Sequence, residues 1–157
     1  IYVLADDGWE SRLGHLLERI EQKGFGAKIT RGKGRFTTES FGPCDDIPAP
    51  AVPSGFMTLS RCLPSADMPV AAQYRLYVKY GRLGGWRSAD RPFKRPVVML
   101  EPGAVFWTDR PIRRWYGRLA TDIHPDYPDA VQCGMAIALP CRIAPPEYLE
   151  ESDADGA

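Results

Sequence analysis

Residues 42–55, "GPCDDIPAPAVPSG", place four prolines in fourteen positions. Proline fixes φ and lacks an amide N–H, so neither a helix interior nor a central strand runs through such a stretch. It reads as a linker or extended loop between two units, with a boundary near residues 42–54. The full length of 157 residues suits one or two small domains, and a hydrophobic share of 44% permits a real core. No run approaches the roughly 20 apolar residues of a membrane helix, and no signal-peptide pattern opens the chain.

Before the boundary, "IYVLADD" reads as a short strand. The chain opens on it rather than on Met, so it reads as the first visible strand of something larger. "WESRLGHLLERIEQK" then carries Trp9, Leu13, Leu16, Leu17 and Ile20 at helical spacing, with Gly24 where a C-cap belongs. "RFTTESF" reads as a strand. After the boundary, "GFMTLSRCLP" reads as a strand and "DMPVAAQYRLYVK" (67–79) as a short helix following Asp67. "PVVMLEPGAVF" reads as strand, Pro-Gly turn and strand. "RWYGRLATDI" and "CGMAIALPCRI" are two more strands. The tail "PPEYLEESDADGA" is acidic and reads as a frayed end. A strand–helix–strand unit followed by a mostly β unit is an α+β protein with antiparallel sheets and few helices.

Twenty acids balance twenty bases, yet the signs are segregated. Residues 22–38 hold Lys23, Lys28, Arg31, Lys33 and Arg35 with no acid. Residues 75–95 hold Arg75, Lys79, Arg82, Arg87, Arg91, Lys94 and Arg95 against Asp90 alone, and 110–118 add four arginines. Such asymmetry suits a polyanion, although a basic cluster is also an ordinary solvated face.

The run "GFGAKITRGKGRF" (24–36) concentrates the question. It resembles two phosphate motifs and fits neither. Gly34 stands where a Walker loop needs a hydroxyl for Mg²⁺, and Ile29 stands where the dinucleotide fingerprint needs its third glycine. What remains is a loop whose glycines let backbone N–H groups approach an anion while flanking cations neutralise phosphate. A tight solvated turn is the competing interpretation. Phe25, Tyr80, Trp86, Phe93, Trp107, Trp115 and Tyr116 lie in or beside the basic runs and are candidates for base stacking or for core. Cys44, Cys62, Cys133 and Cys141 form no CxxC pair, and there are two histidines, so no metal, cofactor or catalytic residue is expected. These cysteines read as four buried or half-buried thiols in a reducing cytoplasm. His15 falls off the apolar stripe of its helix. His124, in "DIHPDYPD", reads as a structural loop residue rather than a general base.

Taken in order, "KGFGAKITRGKGRF", "SGFMTLSRCLP", "YRLYVKYGRLGGWRS", "KRPVVMLEPGAVF" and "YGRLATDIHPDYPDAVQCGMAIALP" resemble the RAMP superfamily of CRISPR-associated proteins. Within it they resemble the C-terminal portion of the Csm-four type subunit of type III-A Csm effector complexes. "PGAVF" stands for that family's "GSVF"-like turn, and "HPDYPDAVQCG" for its "HPVYR-G" segment, with acids where the family tends to be basic. The resemblance implies a ferredoxin-like, RRM-like RAMP fold: residues 1–41 as the end of a first RRM-like domain including the glycine-rich loop, a 42–54 linker, residues 55–146 as a second, mostly β RRM-like domain, and a 147–157 acidic tail. It implies a non-catalytic subunit that binds the 5′ tag of the guide RNA and docks to the large polymerase-like subunit and a backbone RAMP subunit, away from membranes. Carried over by position, Gly24, Gly26, Gly32 and Gly34 shape the loop, and Lys28, Arg31, Lys33 and Arg35 face phosphates or tag bases. Phe25 in the loop, and Arg87, Arg91, Lys94 and Arg95 in the second basic run, complete the RNA-binding candidates. The alternatives are a guide-processing endoribonuclease of the same superfamily and a protein-interaction module without RNA contact.

Overall fold

A computed structural model describes residues 1–26, 33–44, 47, 49–83 and 91–144. Lys28, Arg31, Gly32, Arg87, Trp86 and the acidic tail lie outside them. The chain divides into two compact units, Ile1–Pro48 and Ala49–Ala157. The division falls inside the proline-rich stretch. The protein is α+β: one helix and seven antiparallel strands among the described residues.

In the first unit the apolar periodicity yields helix α1, Glu10–Lys23. It starts without a side-chain cap. It ends at Gly24, whose N–H donates to Ile20 O at 2.7 Å and whose φ of 82° suits glycine. Phe41 packs at Gly14, and the Thr38 amide donates to the Glu21 carboxylate. No hydrophobic side chain of this unit is fully buried among the described residues. "IYVLADD" and "RFTTESF", expected as strands, form none. Alternation alone does not make a strand, because its backbone groups need a neighbouring ladder, and here neither segment has one.

In the second unit β1 (Gly55–Thr58), β2 (Ala72–Gln73), β5 (Val105–Trp107), β6 (Trp115–Ala120) and β7 (Gln132–Cys141) make a five-stranded sheet in the order β2-β5-β1-β7-β6. β3 (Leu76–Lys79) and β4 (Val97–Leu100) form a separate two-stranded sheet. The helix expected over 67–79 is therefore β2 and β3. The β-branched and aromatic residues of that stretch serve a strand equally well, and pairing with β5 and β4 decides the matter. "PVVMLEPGAVF" does form two strands around the Pro102–Gly103 turn. They do not pair with each other: β4 joins β3, and β5 joins β1 and β2. The turn thus carries the chain from one sheet to the other. No helix appears among the described residues of this unit.

Strand alternation sorts the sheet's faces. Phe56, Thr58, Phe106, Tyr116, Ala136 and Ala138 point inward and are buried. The Phe56 ring stacks on Tyr116 at 4.2 Å and on Phe106 at 5.0 Å. Burying such a ring contributes about 1.5–3 kcal/mol. Small residues on β7 leave room for the 62–64 segment to cross this face. Leu63 donates its N–H to Gly134 O at 2.8 Å and accepts from the Arg118 N–H at 3.2 Å. Its backbone bridges β6 and β7 because Gly117 and Gly134 have no side chains to obstruct it. Cys62, carried on that segment, is fully buried beside Tyr116.

Candidate nucleic-acid interface

The glycine loop begins where α1 ends. Phe25 N–H donates to Gly34 O at 2.8 Å, closing residues 25–34 into a loop with a backbone neck. Gly24, Gly26 and Gly34 all have positive φ, where a Cβ is strained. Their surroundings differ. A Cβ on Gly34 would collide with the Phe25 carbonyl, one on Gly24 would lie 3.4 Å from Gly34 O, and one on Gly26 would meet nothing within 4 Å. Gly34 is therefore required by the close approach of the neck's two chain segments, whereas Gly26 is required by its dihedral alone. Phe25, 73% exposed, projects from the neck. Lys33 and Arg35 are exposed on its return side, and neither has an acidic partner among the described residues. Gly32, Lys28 and Arg31 belong to the part of the loop outside the described residues.

The second set of candidates lies on a hairpin arm. β3 pairs with β4 from Leu76↔Leu100 to Lys79↔Val97, and the ladder continues through the Arg82↔Phe93 bridge, Lys94 N–H to Gly81 O (2.9 Å) and Leu83 N–H to Pro92 O (2.7 Å). The register shifts by one between Lys79↔Val97 and Arg82↔Phe93, so the returning strand holds one extra residue, a bulge. There the Arg95 N–H leaves the ladder and donates to Ile123 O at 2.7 Å.

The cations of the returning strand are engaged within the fold. Arg95 Nη1 donates to Asp122 Oδ2 at 2.8 Å and to Asp122 O at 3.0 Å. Asp122 adopts φ 51° to receive it. Lys94 Nζ donates to Val131 O at 3.1 Å, and Arg91 lies 3.8 Å from Asp126. These are exposed pairs, each worth under about 1 kcal/mol, so they orient the side chains more than they stabilise the fold. Asp122 and Asp126 of "DIHPDYPD" thus face Arg95 and Arg91 of the arm. Arg87 is outside the described residues.

His124 fixes this junction. It is 1% exposed. Its Nδ1 accepts from the Asp126 N–H at 3.1 Å, which places the proton on Nε2, and Nε2 donates to Arg91 O at 2.8 Å. Both ring nitrogens are committed to backbone. His15 is on the exposed side of α1, 3.5 Å from Glu18.

Among the described residues no group of three or more His, Cys, Asp or Glu could hold a metal ion, and no helix is long and apolar enough to cross a membrane. No protein-family model matches the chain, and no curated protein matches it.

Sequence reasoning named the loop glycines and the basic runs as candidates. It missed that Arg91, Lys94 and Arg95 are tied to residues 122–131, about thirty positions downstream. The acids in "DIHPDYPD" were the available signal, but charge read along the chain does not reveal pairing across a fold.

Proposed function

We propose that the chain is a non-catalytic RNA-binding subunit of a type III-A CRISPR interference complex, with a RAMP-type, RRM-like architecture. It holds the 5′ tag of the guide RNA at the glycine-rich loop and docks to the large polymerase-like subunit and a backbone subunit, in the cytoplasm. The order of its motifs along the sequence supports this, and so does its antiparallel sheet. The observation that carries it is the neck: positive-φ glycines close a loop that presents exposed Lys33 and Arg35 without acidic partners among the described residues. Such a loop can offer amides and cations to a phosphate chain at once. The endoribonuclease alternative needs a general base, and His124 has neither ring nitrogen free to act as one.

The decisive experiment is a titration with matured guide RNA at several salt concentrations. Arg31→Ala, Lys33→Ala or Arg35→Ala should each weaken binding and flatten the plot of log Kd against log salt by about 0.7 per lost contact on a single strand. Unchanged affinity and slope would return the loop to a solvated turn. Gly34 variants cannot decide it, because they break the neck whether or not RNA is bound.

A further inference from the structure

We propose that the hairpin arm of residues 76–83 and 91–100 is a second, sequence-tolerant platform for single-stranded RNA, with Tyr80 and Phe93 as stacking surfaces and Arg82, on the same face, as the phosphate-facing cation. This rests on the RNA-binding function proposed above but concerns a different unit of the chain. The assignment follows from a division of labour along the arm. Arg91, Lys94 and Arg95 are tied to residues 122–131, and His124 pins the Arg91 carbonyl. They anchor the arm. Arg82 is exposed and has no acidic partner among the described residues, and residues 68–83 and 91–100 contain no acid.

The rings are placed for the same use. Tyr80 is 74% exposed and Phe93 65% exposed. An aromatic side chain left that open next to a buried core forgoes about 1.5–3 kcal/mol of burial. Arg82 and Phe93 are cross-strand neighbours, so their side chains share a face, and the Arg82 guanidinium lies 5.1 Å from the Phe93 ring centroid. A flat cation on a flat ring is a surface on which any base can stack, with charge beside it for the adjoining phosphate. The two ladder hydrogen bonds at Gly81 and Leu83 hold the rings on a paired scaffold, so little ordering is needed on binding. A single strand, with bases free to unstack, suits this surface; a duplex presents no base faces to it.

The test uses the full chain and two probes: a labelled uridine-rich single strand lacking the tag, and the matured guide. Tyr80→Ala and Phe93→Ala should each weaken the untagged strand roughly tenfold with an unchanged salt slope. Arg82→Ala should flatten that slope by about 0.7, whereas Lys79→Ala, on the opposite face of the strand, should leave it unchanged. Tyr80→Phe and Phe93→Tyr should retain wild-type affinity, and Tyr80→Leu and Phe93→Leu, which keep bulk without a π face, should lose it while melting like wild type. Wild-type affinity in the leucine variants overturns the platform. So does a chain that binds the guide but not the untagged strand, or arm variants that weaken assembly with protein partners while RNA affinity stays constant. If Lys33→Ala leaves guide binding intact while the ring variants still weaken the untagged strand, the loop assignment falls and the arm stands.

Discussion

Cys62 shows how one residue's environment sets its chemistry. Its side chain is wholly buried, and burial pushes the thiol from 9.0 up to about 11, because the thiolate would lose hydration with only Met68 Sδ at 4.0 Å and Tyr116 O at 3.8 Å nearby. In the unfolded chain the thiol ionises near its ordinary value. The folded state therefore keeps its full advantage below about pH 9 and loses it as pH rises toward about 11, by at most about 2–3 kcal/mol. Urea melts across that range should show stability falling more steeply in the wild type than in Cys62→Ala. A thiol reagent at pH 8 should modify exposed Cys44 and Cys133 long before Cys62. Rapid labelling of Cys62 in the folded protein would contradict its burial. The expectation of four buried or half-buried thiols holds for Cys62 and Cys141 and fails for Cys44 and Cys133, which are exposed. Which one is buried was not legible in the sequence, because Cys62 is covered by Tyr116, 54 positions away.

At the scale of the element, α1 and the β6–β7 pair were readable because each carries its own period: apolar residues every three to four positions in α1, and small inward residues at Gly134, Ala136 and Ala138 on β7. β2 and β3 were not readable as strands, since Tyr74, Tyr77 and Val78 fit a helix face as well, and the partners that choose between the two lie in β5 and β4. The crossing of Leu63 over β6 and β7 left only a faint trace, two glycines in otherwise apolar strands. It makes a firm prediction. A Cβ at Gly134 would overlap Leu63 Cβ and lie 2.8 Å from Arg118 O and 2.9 Å from Leu63 N. Three rigid neighbours cannot all retreat, so Gly134→Ala should cost about 1–3 kcal/mol or more, in line with overpacking of a closed core. Ala136→Gly on the same strand removes only a methyl and should cost about 1 kcal/mol. Equilibrium denaturation of the two variants would rank them, and a Gly134→Ala protein as stable as wild type would mean the 62–64 segment does not lie against β7.

For the whole molecule, the linker composition pointed to two units, but it said nothing of how unequally the two compact units are built. Both clusters of buried side chains, around Phe56 and around Met99, belong to the second unit. The first has none among the described residues, and Leu16 of its fourteen-residue helix and Trp9 at the N-cap are both more than 40% exposed. A helix of this length is marginal in water without a packed face. In the isolated chain the helix should therefore open locally, independently of the sheet. Amide exchange followed residue by residue should show β7 protected up to the global unfolding free energy, while the α1 amides exchange roughly a hundredfold faster or more, a gap of about 2.7 kcal/mol. Adding denaturant should bring the β7 amides down and leave the α1 amides nearly unaffected, since their opening exposes little surface. Guide RNA at saturation should slow exchange at Lys23–Phe25, the end of the helix that leads into the loop, because a ligand that binds only the formed neck stabilises it by mass action. Equal protection in α1 and β7 without RNA would show that the helix already belongs to the cooperative core. An α1 terminus unchanged by saturating guide would separate the neck from RNA binding.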